Sequence, residues 1–154
     1  MSSRIWLSAA LAWIVVIFFS STTLASQWCE AAFTRLSTLL FGSIHPGYSS
    51  YDVIHLLADK SVHVTLFLVL AALLWKALPS APAKWAIILL AGLFVGSCSE
   101  FFQRFFPGRD PAIRDVLINL SGTALGVILC SKLARHPADP TSGKEDPVTA
   151  VVEE

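Results

Sequence analysis

Long apolar runs broken by short polar junctions limit what this chain can become. Ile5 to Ala25, Val62 to Leu78, Trp85 to Phe102 and the segment from Asp110-Pro111 to Arg135 each suit a bilayer crossing, which takes ~20 residues. Hydrophobic residues make up 55% and charged residues 14%, against roughly 25% charged in a soluble domain. The expected fold class is therefore all-α: a polytopic membrane helical bundle of four transmembrane helices plus a short interfacial helix. Lys and Arg total 11 and so do Asp and Glu, so no net basic field argues for nucleic acid, and none is expected as a partner. Cys29, Cys98 and Cys130 are widely spaced and form no C-x-x-C. No disulfide framework, metal site or cofactor is read from them.

Arg4 leads into the first run. A cleaved signal peptide would end in small residues such as Thr23-Leu24-Ala25, but the remaining chain is itself membrane-bound, which favours a retained first span. From Gln27 to Ser50 the chain is too polar to cross. Trp28, Ala32, Phe33, Leu36, Leu39 and Leu40 recur there at helical spacing, with Glu30, Arg35 and Thr38 between them, and this predicts a short helix lying in the interface. Gly42, Pro46 and Gly47 end it, and Ser49 with Asp52 reads as a capping box for the next helix.

That helix runs uninterrupted from Tyr51 to Leu78, with Asp52, His55, Asp59 and Lys60 at or beyond the membrane surface. Pro79-Ser80-Ala81-Pro82 makes a tight connection, and Pro107-Gly108 lies in a second short turn. Asp110 and Pro111 read as N-cap and first residue of the last helix, which His136-Pro137 stops. Residues 1–136 form the transmembrane domain. The polar stretch 137–154 is expected to be a disordered cytoplasmic tail. With four spans, Arg4, Lys76, Lys84, Lys132 and Arg135 share one side. That side is expected to be cytoplasmic, with both termini there and the protein in the inner or plasma membrane.

Heights and faces along the helices agree. At 1.5 Å per residue, His63 lies about 20 Å above Lys76, Glu100 about 22 Å above Trp85, and Asn119 about 20 Å from Lys132. Asp59, Gln103 and Asp115 stand roughly one turn further out. His55, Asp59 and His63 share one helix face; Gly92, Gly96, Glu100 and Gln103 share another; Asp115, Asn119, Gly122 and Gly126 share a third. Each of the last two carries a G-x-x-x-G that lets backbones approach. These faces predict a polar pocket open to the extracytoplasmic side.

The residues Asp59-Lys60-x-x-His63, Glu100-x-x-Gln103, Pro107-x-Arg109 and Asp115-x-x-x-Asn119-x-x-Gly122, with Gly126, resemble the VanZ-like family of small bacterial membrane proteins. The likeness covers about residues 5 to 130 in architecture. It implies a four-span bundle and an association with resistance to the glycopeptide teicoplanin. Ala112 stands where Ser is expected in many relatives, and Arg114 adds a charge beside Asp115.

The side chains themselves suggest several roles. His63 near Asp59 has the makings of a general base and its orienter, and Glu100 with Asp115 of an acid pair with divided protonation. Arg109 suits bidentate binding of phosphate or carboxylate, with Lys60 adding a point charge. Gln103 and Asn119 cross-link helices or touch ligand. Each group has a plain structural reading too: an interfacial His held by Asp59, acids neutralised by Lys60, Arg109 or Arg114, or an Arg reaching toward lipid phosphates. His55, Asp59 and His63 also form a helical metal face with Glu100 as a fourth ligand, but they diverge over two turns. Three functions stay open. One is a module binding an anionic cell-envelope component, such as a lipid head group or cell-wall precursor, through Asp59, Lys60, Gln103, Arg109 and Asn119. Another is an enzyme using His63, Glu100 and Asp115 on the same ligand class. The third is a structural bundle whose polar network sets helix register. Membrane lipids are the expected partners in each.

Overall fold

The computed structural model describes residues 2–41, 49–78, 80, 82–109 and 111–135. These form five helices and, among the described residues, no strand: α1 Ser3–Ser20, α2 Thr23–Phe41, α3 Ser49–Ala77, α4 Lys84–Gln103 and α5 Ile113–Arg135. Helices α1, α3, α4 and α5 are long and apolar enough to cross a membrane. The side chains of the expected Ser49/Asp52 capping box, the Gly42–Gly47 break, the Asp110 cap and the 137–154 tail fall outside what the structure describes.

Two boundaries differ from expectation. The first apolar helix stops at Ser20 rather than Ala25, because Ser20, Ser21 and Thr22 turn their hydroxyls onto the Ile17 and Phe19 carbonyls. A run of such residues competes with the helical ladder. Thr22 Oγ1 then accepts the Ala25 N–H at 3.3 Å and starts α2. The last helix begins at Ile113, two residues after Pro111. The Ala112 N–H is taken by Glu100 Oε2, and the Ala112 carbonyl closes a tight turn with Asp115 N–H.

Small residues decide how the bundle packs. A Cβ on Gly122 would stand 2.5 Å from the Val64 carbonyl oxygen, and one on Gly126 would stand 2.8 Å from that of Leu68. The backbones of α3 and α5 therefore touch, and their contacts advance in step, so the two helices run parallel. On α4, Gly96 faces Asn119 and Gly92 faces Thr123, the reversed order of an antiparallel neighbour. Helix α1 packs on α3, where Ala10 and Ile17 join Phe67 and Leu70 in a cluster that also takes in Val95 of α4, and Trp13 Nε1 donates to the Leu66 carbonyl at 2.8 Å.

Much large apolar surface remains outside: Val15 is 68% exposed, Phe94 69% and Leu133 75%. Apolar surface on that scale suits lipid rather than water. At one end of the bundle Lys76 lies over the Trp6 ring and Lys84 over the Trp75 ring, at 4.4 and 4.6 Å. The polar cluster occupies the other end.

Candidate functional site

At that polar end α3 and α5 present their charged faces to each other. Lys60 Nζ lies 2.8 Å from Asp115 Oδ2 and 3.0 Å from Asp59 Oδ2, bridging two acids. Arg114 Nε stands 3.7 Å from Asp115 Oδ1. One turn inward, His63 Nδ1 meets Asn119 Oδ1 at 3.1 Å. An amide oxygen only accepts, so Nδ1 carries the proton and Nε2 keeps its lone pair in the neutral ring. Asn119 is fully buried, and its Nδ2 has no partner among the described residues.

On α4, Glu100 and Gln103 are buried at 5% and 3% exposure. Gln103 Nε2 donates to Glu100 Oε1 at 3.2 Å, and the Ala112 N–H donates to Glu100 Oε2 at 3.4 Å. Asp115, His63 and Lys60 lie within coulombic range of that carboxylate. The turn after α4 runs through Pro107 and through Gly108, whose φ of +79° belongs to the left-handed region that glycine tolerates. Arg109 follows. Its Nε is buried without a hydrogen-bond partner among the described residues, and it lies within coulombic range of Asp59.

A cavity of about 430 Å³ opens between α2 and α3 and reaches this turn; Glu30, Phe33, His55, Asp59, His63 and Arg109 are among its lining. Of the eight residues expected to form a site, Asp59, His63 and Arg109 line this cavity. Lys60, Asp115, Gln103 and Asn119 instead form the packed layer behind it, and Glu100 faces a separate hollow on the α4–α5 flank. The expected single pocket is thus two hollows around one polar partition.

One expected pairing is also replaced. Asp59 holds Lys60, and Asn119 rather than Asp59 orients His63. Asp115 is ion-paired, whereas Glu100 is met by neutral donors. His55 sits edge-on to Phe33 at 5.1 Å between ring centroids. Among the described residues no three His, Cys, Asp or Glu side chains come together to hold an ion.

Sequence reasoning missed the part played by α2. Ser26, Glu30 and Phe33 face the cavity at i, i+4 and i+7, a stripe hidden by the stronger apolar pattern on the opposite side. There Leu24, Trp28 and Leu39 are 48%, 61% and 83% exposed. The Thr23 hydroxyl fixes the start of α2 by donating to the Pro107 carbonyl at 2.8 Å.

A protein-family model described as VanZ/LLP1 matches residues 6–135, and the chain belongs to this VanZ-like family. No curated protein and no solved structure gives a significant match.

Proposed function

We propose that this VanZ-like membrane protein binds an anionic cell-envelope component, a lipid head group or a cell-wall precursor, in the cavity between α2 and α3. The observation that supports this reading is Arg109, half-buried at the cavity wall, with its Nε atom buried and unpartnered among the described residues. A buried polar atom without a partner is costly, and a planar guanidinium takes phosphate or carboxylate in a fork. Lys60 contributes from behind, committed to Asp59 and Asp115. Asp59 and Lys60 set the local field, while Gln103 and Asn119 brace the partition.

In this proposal the chain crosses the inner or plasma membrane four times with both termini in the cytoplasm. Residues 1–136 form the domain and 137–154 its polar tail. Helix α2 lies in the interface, Leu24, Trp28 and Leu39 toward lipid and Ser26 and Glu30 over the cavity. The family resemblance extends the proposal to glycopeptide susceptibility, with teicoplanin the compound to test. Profiling lipids and cell-wall precursors in cells with and without the protein tests the reading. Enrichment of an anionic species with the purified chain, lost on Arg109→Gln, is expected; an identical profile with either chain refutes it.

A second reading, catalysis, is favoured by His63 alone. Its ring lines the cavity while Nδ1 is held by Asn119, the arrangement of an oriented base. Glu100 and Asp115 would then act on its electrostatics from behind the partition. Turnover of the bound species in the same profiling, abolished by His63→Gln with binding kept, distinguishes it.

A further inference from the structure

The second hollow lies between the last turns of α4 and the start of α5, holds about 170 Å³, and shares no lining residue with the α2–α3 cavity. Ser97, Glu100, Phe101, Arg104, Ala112 and Ile113 border it. Glu100 is 5% exposed, yet both its hydrogen-bond donors, the Gln103 amide and the Ala112 N–H, are neutral. Among the described residues no cationic nitrogen forms an ion pair with it. A carboxylate taken out of water calls for a cation and further donors. Arg104 stands one turn away at the rim, exposed, with its guanidinium 5.7 Å from the Phe101 ring centroid. Inward from the hollow, Phe94 and Leu90 are 69% and 65% exposed on the same face of α4, and Leu117 is 61% exposed on α5. They make an apolar track leading away from a charged mouth.

We propose that this hollow binds a phosphoethanolamine group, its primary ammonium on Glu100 and its phosphate on Arg104. A primary ammonium brings the missing charge and three donors. The guanidinium suits the phosphate, and the ~6 Å rise between residues four apart matches a two-carbon bridge between the charges. Acyl chains of a lipid bearing that group would lie along Leu90, Phe94 and Leu117. A trimethylated ammonium has no N–H to give, and a glycerol head group has no cation, so the site discriminates against both. This inference goes beyond the Arg109 reading and does not depend on it.

The test is native mass spectrometry of the full chain released from nanodiscs containing equal amounts of phosphatidylethanolamine, phosphatidylcholine and phosphatidylglycerol. Retention of phosphatidylethanolamine over phosphatidylcholine by about tenfold is expected, as one charge-assisted hydrogen bond gives. Glu100→Gln should bring that ratio close to one. Displacement by free phosphoethanolamine would assign the site to a soluble ligand, and resistance to displacement to the lipid; the recognised chemistry is the same. Equal retention of the two lipids by the unaltered chain overturns the proposal, as does an unchanged preference in folded Glu100→Gln. The first comparison needs no variant, so a misfolded substitution leaves it decided. Phosphatidylglycerol retention reports the Arg109 cavity separately, so either proposal can fail alone.

Discussion

Lys60 Nζ and Asp115 Oδ2 meet at 2.8 Å across the α3–α5 interface, the outermost of a series of contacts in which His63 meets Asn119, Val64 meets Gly122 and Leu68 meets Gly126. The ion pair is thus the polar continuation of a backbone-to-backbone seam. Its geometry is set by glycines several turns away.

Breaking that pair from one side should be worse than removing it. Lys60→Met leaves the buried Asp115 with only the exposed Arg114, 3.7 Å away, for company; the pair is part-buried, so the loss should fall below the about 3–5 kcal/mol of breaking a fully buried pair. The double variant Lys60→Met with Asp115→Leu should recover most of that loss in thermal unfolding in detergent micelles. A double variant no more stable than Lys60→Met would mean that the charges do not depend on each other.

Glycine substitutions should rank by what they meet. In Gly122→Ala the new methyl presses on the Val64 backbone at 2.5 Å, which has no rotamer to change, and overpacking of this kind costs about 1–3 kcal/mol. In Gly96→Ala the nearest atom is a side-chain carbon of Asn119 at 3.3 Å, so the loss should be smaller. Unfolding midpoints of the two variants check this, and equal shifts would place the tight seam elsewhere.

The seam and the heights of the polar groups were legible in the sequence because both follow from helical period and rise. Gly92, Gly96, Gly122 and Gly126 had to lie below Glu100 and Asn119, and they do. Partners were less legible. Asp59 is one turn from His63 and adjacent to Lys60, and the sequence favours neither; the neighbouring Asp115 on α5 draws the ammonium in and takes Asp59 with it. Backbone partners left no trace at all: nothing in Glu100-x-x-Gln103 announces that the Ala112 N–H will cap the carboxylate. The division into two hollows follows from the placement of α2 and of the Pro107–Arg109 turn, which are long-range contacts that no periodicity encodes.

Arg109 offers a test of charge against shape. Arg109→Lys keeps the positive charge and loses the planar fork, so binding of phosphatidylglycerol vesicles should weaken by about tenfold, the equivalent of one charge-assisted hydrogen bond. Arg109→Gln should weaken it further. Flotation assays on the purified variants read this, and full binding by Arg109→Lys would remove the bidentate contact from the proposal.

Cys29 reports both sidedness and occupancy. Its thiol is exposed on α2 at the wall of the Arg109 cavity, whereas Cys98 and Cys130 are partly buried within α4 and α5. In a background carrying Cys98→Ser and Cys130→Ser, a membrane-impermeant maleimide should label Cys29 on intact cells. With Cys29 also replaced, Ala83→Cys at the opposite end of the bundle should react only after the cells are opened. The reverse pattern would invert the proposed orientation and put the cavity in the cytoplasm. Purified protein carries the argument further: anionic lipid seated on Arg109 fills the space beside the Cys29 thiol, so phosphatidylglycerol should slow labelling and Arg109→Gln should restore the rate. Labelling indifferent to phosphatidylglycerol would place the anion outside this cavity, whichever way the protein faces.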